Sequence, residues 1–302
     1  MSVSLPPALT VTLQHRLTKI AGRPSFIVES RPVAGGCIHQ SLKISTDAGR
    51  DFFLKWSPDS TEDAFLAEAD GLEALRYLGN LRIPEVVGHS VPGETPSWLL
   101  LEFVPHGRPT DDYWETLGRG LADLHQVRSG PYGWERPNFI GSLPQANHVT
   151  DKWDGFWWNQ RLLPQLTLAR EVGRLPGRWH DWELLETSLP QMAPSVIAEP
   201  SILHGDLWSG NVFPGPLGEP VLVDPAVYRG HAEVDLAMTE LFGGFPNSFY
   251  SAYSEALPPA DGYREVRQPL YQLYPLLVHV NLFGGSYVES TRQTLDQLLS
   301  ES

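Results

Sequence analysis

Ile202-Leu203-His204-Gly205-Asp206-Leu207-Trp208-Ser209-Gly210-Asn211, followed thirteen residues later by Asp224 in Val221-Leu222-Val223-Asp224-Pro225-Ala226, decides the reading of this chain. Asp206 and Asn211 stand five apart, the separation of a base and a metal ligand in phosphoryl transfer. That chemistry needs a carboxylate to accept a hydroxyl proton and hard oxygen ligands to hold magnesium against the β- and γ-phosphates. Asp206 is the expected base, and Asn211 and Asp224 are the expected ligands. Three apolar residues precede Asp224 and place it at a strand end. His-Gly-Asp and Val-Asp-Pro are also turn sequences, in which Asp and Asn close loops through hydrogen bonds to the backbone. The joint spacing favours phosphotransfer over that plainer reading.

Working outward, the N-terminal third carries the complementary parts. Ala8 to Ala21 reads as a short amphipathic helix, and residues 26 to 56 as a three-strand meander with Gly35-Gly36 at its first turn. Ser60 and Asp63 have capping-box spacing ahead of a helix in which Phe65, Glu68, Leu72 and Leu75 step by 3, 4 and 3. Glu68 thus falls on the apolar face and needs a cation there, because a lone buried carboxylate is costly. Lys55, in the strand Asp51 to Trp56, is the candidate. A strand lysine paired to a helix glutamate is what directs a lysine onto ATP phosphates in protein kinases. A Glu solvated at the core's edge is the simpler alternative. Ile83 to Val86 and Trp98 to Phe103 read as two more strands. Beyond Pro105, Trp114, Leu117, Leu121 and Leu124 form a helical stripe. The expected architecture is α+β, with a small β-rich lobe over residues 1–103, a larger helical lobe over 104–302, and a connector near 102–107. Helices are expected over Trp153 to Leu168, Asp235 to Phe242, Pro269 to Phe283 and Ser290 to Leu299. Gly130 to Asn147 reads as a long loop.

Composition narrows the partners. Twenty-two Lys and Arg against 36 Asp and Glu leave a net charge of −14, which argues against nonspecific binding to nucleic acid or anionic lipid. A single cysteine, Cys37, permits no internal disulfide and fits a reducing compartment. With no basic-then-apolar leader and no apolar run long enough to span a membrane, the expectation is a cytoplasmic protein, monomer or homodimer.

Together these motifs resemble the fructosamine (ketosamine) kinase family, relatives of the aminoglycoside phosphotransferases within the protein-kinase-like fold. The resemblance rests on Gly35-Gly36-Cys37-Ile38, the run from Leu203 to Asn211, Asp224-Pro225-Ala226, Tyr228 to Met238, Leu241-Phe242-Gly243-Gly244-Phe245-Pro246, and Tyr271 to Tyr274 with His279, Asn281, Phe283 and Gly284. It covers nearly the whole chain. It implies ATP- and Mg2+-dependent phosphorylation of the 3-hydroxyl of a ketosamine, free or on a glycated protein lysine, which destabilises the adduct and so serves deglycation. It implies that Gly35, Gly36, Lys55 and Glu68 serve the nucleotide, with backbone groups near Glu102 and Val104 reading adenine. His204 is expected to hold the catalytic loop by hydrogen bonds. Asp235 either caps its helix or anchors that loop, and the resemblance implies the anchor. Trp208, two residues past the base, is expected beside the acceptor sugar. His279 and Asn281 are polar residues in an apolar helix, either satisfied core residues or substrate contacts. Trp153, Trp157 and Trp158 are expected to pack. Cys37, beside the glycine pair, is a candidate redox switch. Two other readings use much the same residues: a kinase for another amino-containing alcohol such as an aminoglycoside, and a nucleotide-binding pseudokinase.

Overall fold

In the computed structural model, residues 4–33, 40–59, 63–128, 130–194 and 199–300 are described. The expectations for Gly35, Gly36, Cys37 and Ser60 lie outside them. The chain opens with α1 (Pro7–Ala21) and continues through β1 (Ile27–Pro32), β2 (Gln40–Thr46), β3 (Asp51–Ser57), α2 (Ala64–Leu78), β4 (Val86–His89) and β5 (Ser97–Glu102). The five strands form one antiparallel sheet in the order β1-β2-β3-β5-β4. Side chains alternate across its two faces. Leu42, Ile44, Phe52, Leu54, Trp98 and Leu100 meet Leu9, Leu13 and Leu17 of α1 on one face. Leu99 and Leu101 meet Phe65, Leu72 and Leu75 of α2 on the other. The fourth strand begins at Val86 rather than Ile83. Pro84 has no amide hydrogen to give the ladder, and the Glu85 amide donates to the Glu102 carboxylate at 3.2 Å.

The remainder is mainly helical. It comprises α3 (Tyr113–His125), a short pair β6 (Asn138–Ile140) and β7 (Leu143–Gln145), α4 (Trp153–Trp157) and α5 (Leu163–Glu171) joined by a π-helical turn over Trp158–Leu162, and α6 (Trp179–Met192). Then follow β8 (Ser201–Leu203), β9 (Val212–Pro214), β10 (Pro220–Leu222), β11 (Tyr228–Gly230), α7 (Glu233–Thr239), α8 (Asn247–Ala256), α9 (Gln268–Leu282) and α10 (Ser286–Ser300). The segment expected as one loop over 130–147 thus contains a hairpin. Two helices, α6 and α8, were not anticipated, although Trp182, Leu185 and Leu189 of α6 repeat at helical spacing.

Among the described residues the packing is continuous from one lobe to the other. One core runs from α2 and the sheet into Leu117, Leu121 and Leu124 of α3, Val227 and Phe249. A second core holds Trp153, Trp157 and Trp182, all fully buried, against α9 and α10. Two glycines set close approaches. A Cβ on Gly118 would come within 2.4 Å of the Phe249 carbonyl, so this glycine lets α3 lie against α8. A Cβ on Gly71 would crowd Pro225 and Val227 at 3.2–3.3 Å, so α2 rests directly on the segment that follows Asp224.

Candidate active site

The site is a cleft of about 380 Å³ between the sheet and the helical lobe. Lys55 lies on β3, buried, with Nζ 2.8 Å from Glu68 Oε1 on α2 and 2.5 Å from Asp224 Oδ1 of the helical lobe. Burial disfavours the lysine's charge, yet the two carboxylates outweigh it and hold the pKa above lysine's ordinary value. Glu68 is pushed up by burial and by the nearby charge of Asp224, against the pull of Lys55. Helix α2 starts at Ala64, and Asp63 at its N-cap makes no side-chain capping bond.

The loop from His204 to Asn211 leaves β8 and ends in a single 3-10 turn before β9. Asp235, fully buried in the first turn of α7, accepts the His204 amide at 2.7 Å, the Gly205 amide at 2.9 Å and His125 Nε2 at 3.2 Å. Burial opposes its charge, but hydrogen bonding from His125 and the loop amides keeps its pKa below the carboxylate range. His204 has one consistent tautomer. The Val223 carbonyl, 3.0 Å from Nε2, can only accept, and the Asp206 amide, 3.3 Å from Nδ1, can only donate. The ring therefore carries its proton on Nε2 and is neutral, in line with a pKa lowered by burial. Gly205 has φ +81°, and a Cβ there would meet the Ala226 carbonyl at 2.1 Å.

Asp206 sits in the cleft with its pKa pushed up to about 7, first by burial and then by the charges of Asp224 and Asp235, against a hydrogen bond from Asn211. Asn211 Nδ2 donates both to the Asp206 carbonyl at 2.8 Å and to Asp206 Oδ2 at 3.0 Å. Both bonds use Nδ2 and leave Oδ1 out. Asp224 has φ +55° and is held on both sides, by the Val223 amide on the Asn211 carbonyl at 3.1 Å and the Ala226 amide on the His204 carbonyl at 2.8 Å.

The rest of the cleft is largely apolar. Trp208, Met238, Val278, Leu282 and Phe283 line it, with Asn138 to Ser142 of the β6–β7 hairpin alongside. Trp208 is 36% exposed, and its ring lies over Gly210, where a Cβ would stand 2.3 Å away. His279 also lines the cleft. Its ring packs on Phe242 at 4.5 Å and Tyr287 at 4.8 Å, and burial lowers its pKa. Asn281 instead binds Gln165 and does not line the cleft.

The cleft thus collects Lys55, Glu68, Asp206, Trp208, Asn211, Asp224 and His279. Glu102 and Val104 are not among its described lining residues. Glu102 ends β5, paired with Arg82, and Val104 is buried. Sequence reasoning missed His125, Ser41, Phe242 and Phe283. The stripe on α3 ends at His125, which is the one signal that pointed to it.

A lysine that reaches from a sheet lobe to a carboxylate of a helical lobe across one cleft is the arrangement of the kinase-like phosphotransferases, and this fold and site define that class. Within it, the chain belongs to the fructosamine kinase family, whose model matches residues 10–301. It is 42% identical over 295 residues to a "Probable ketoamine kinase" of Synechocystis, covering 97% of this chain and 98% of that one. It is 38% identical to the chloroplastic protein-ribulosamine 3-kinase of Arabidopsis thaliana, covering 92% and 85%. The crystal structure of a candidate fructosamine-3-kinase from Haemophilus somnus superposes with a TM-score of 0.87 at 28% identity, covering 96% and 99%. Among the described residues no helix is long and apolar enough to cross a membrane.

Proposed function

We propose that the protein transfers the γ-phosphoryl group of ATP to the 3-hydroxyl of a ketosamine. One observation carries the reading: Asp206, whose burial and acidic neighbours raise its pKa to about 7, shares a cleft with a lysine fixed between two carboxylates and with an apolar, Trp208-lined wall. Asp206 accepts the proton of the attacking hydroxyl as the new P–O bond forms and the bond to ADP breaks. Because it must be ionised to do so, turnover rises with pH through its pKa. Asn211 keeps Asp206 oriented through two hydrogen bonds. Lys55, aligned by Glu68, neutralises phosphate oxygens. Trp208, Val278 and Phe283 supply flat and aliphatic surface for a sugar face and the alkyl stem of its amine.

The donor set also fits Mg2+. Asn211 and Asp224 both line the cleft, and the Asn211 amide oxygen and the Asp224 carboxylate are hard oxygens. The described residues hold no cluster of three or more His, Cys, Asp or Glu able to bind a metal. Two protein oxygens suit an ion that keeps its waters and takes phosphate oxygens for the rest. When bound, Mg2+ would neutralise charge on the phosphates. Whether the amine is free or part of a protein lysine, the sugar presented is the same. ADP release should therefore be followed with ribulosamine, erythrulosamine and fructosamine derivatives of lysine, with a glycated protein, and with an aminoglycoside. Ketosamine-dependent release with little aminoglycoside turnover is expected. The reverse order, or no ketosamine-dependent release, overturns the proposal.

A further inference from the structure

Ser41 is a hydroxyl with no evident reason to be where it is. It lies on β2, is only 8% exposed, and its Oγ has no hydrogen-bond partner among the described residues. A buried hydroxyl left unpaired costs free energy. The residue nevertheless stands directly opposite Lys55 in the β2–β3 register. Residues opposite one another in an antiparallel pair point to the same face, with Cβ atoms about 4.5–5.5 Å apart. Lys55 reaches into the cleft from that face, and Ser41 lines the same cleft.

We infer that Ser41 Oγ–H is a phosphate-binding donor, completing its hydrogen bonding only when a nucleotide's α- or β-phosphate lies beside Lys55. The inference rests on the kinase reading above and goes beyond it, because it assigns a ligand contact to a strand residue outside the catalytic motifs. Position selects the ligand part. In kinases the strand lysine meets the α- and β-phosphates, and a side chain one strand away reaches the same group. Chemistry agrees, because a hydroxyl donating to an anionic oxygen makes a short, charge-assisted bond. An unpaired hydroxyl in the empty cleft and a satisfied one in the filled cleft also make opposite demands on stability.

That opposition supplies the test. Wild type and Ser41→Ala are titrated with ADP and with adenosine by calorimetry, and their thermal midpoints are measured without ligand and at saturating ADP. The expected result is a loss of about tenfold in ADP affinity, the lower end for a hydrogen bond to a charged group. Adenosine affinity should be unchanged. The ligand-free midpoint should be equal or higher in the variant, and the ADP-induced rise smaller. Unchanged ADP affinity, an equal loss for ADP and adenosine, or a lowered ligand-free midpoint with intact ADP binding would each overturn the assignment. If wild type itself does not bind ADP, the nucleotide reading fails and takes this inference with it. If wild type binds and Ser41→Ala binds equally well, this inference fails alone.

Discussion

Replacing Asp206 with Asn should make the protein more stable and nearly inactive, and the stability gain should depend on pH. Burial and the charges of Asp224 and Asp235 raise the Asp206 pKa from an ordinary 3.8 to about 7. That displacement corresponds to roughly 4 kcal/mol held against the ionised form in the folded state. Below pH about 4 the carboxyl is protonated folded or unfolded, and Asn offers no advantage. Between pH 4 and 7 folding must take up a proton, so wild type loses stability relative to the variant as pH rises. Above pH 7 the gain levels off. Asn keeps an oxygen to accept from Asn211 Nδ2, so the loop geometry survives. Relaxation around the site reduces the figure, and about 2–3 kcal/mol at pH 8 is expected. For 302 residues that is a rise of about 3–5 °C in thermal midpoint. Turnover should fall by about 10²–10⁴, the usual contribution of a positioned base. The assay is thermal unfolding at pH 4, 6 and 8 alongside ADP release with a ketosamine. A gain of equal size at all three pH values, or a loss, refutes the electrostatic account. Turnover above a tenth of wild type refutes the base.

Lys55→Met should raise the KM for ATP and lower kcat, and Glu68→Gln should do the same more mildly by freeing the lysine from one of its two carboxylates. If Glu68→Gln changes only the thermal midpoint, Glu68 does not position Lys55. Gly205→Ala should destabilise by about 3 kcal/mol or more in chemical denaturation, because φ +81° and the Ala226 carbonyl at 2.1 Å leave no room for a Cβ. A cost under about 1 kcal/mol would mean the loop shifts freely. Trp208→Ala should raise the acceptor KM about tenfold and leave ADP affinity unchanged, as read by steady-state kinetics and calorimetry; a loss of ADP affinity would place the ring with the nucleotide instead.

Legibility in the sequence followed the range of the interaction. Glu68 was legible because helical spacing alone put it on the apolar face with Phe65, Leu72 and Leu75, and burial then demanded a cation within reach. The spacing of Asp206, Asn211 and Asp224 is likewise local. Ser41 was not, because a Ser in a strand is unremarkable until the pairing register sets it against Lys55. His125 was hidden for the same reason: its partners Asp235 and Tyr253 lie more than a hundred residues away. Phe242 meets His279 only through the packing of α9 against the segment after α7, whereas Phe283 stands one helical turn beyond His279, at a local spacing that went unread. Four of the sheet's strands and α2 were read nearly to the residue, since alternation and stripes are local signals, but the fourth strand was set three residues early, at Ile83 rather than Val86. The hairpin within 130–147 was not, because three-residue strands carry too little pattern to separate from loop.

The backbone around Asp224 explains why the residues of the site hold together as one object. A non-glycine residue at φ +55° is costly, on the order of 1–3 kcal/mol, and persists only where its surroundings over-determine it. Here Val223 and Ala226, on either side of it, are hydrogen-bonded to the His204–Asn211 loop, through the Asn211 and His204 carbonyls. That loop is in turn fixed by Asp235, whose carboxylate accepts two loop amides and is itself held by His125. Glycine at 224 would relieve the strain but supply no carboxylate, and the carboxylate is what Lys55 binds at 2.5 Å. The strain therefore belongs with the chemistry: the left-handed turn aims Asp224 at Lys55 from one lobe while Glu68 meets it from the other. Because α2 rests on Pro225 and Val227 through Gly71, the helix that carries Glu68 is seated on the segment that carries Asp224. A displacement of one lobe against the other would have to break the Lys55–Asp224 ion pair and the Gly71 contact together, so the Lys55 end of the cleft behaves as a pre-set unit, while the Trp208-lined end, built from exposed rings, is left to adapt to the acceptor.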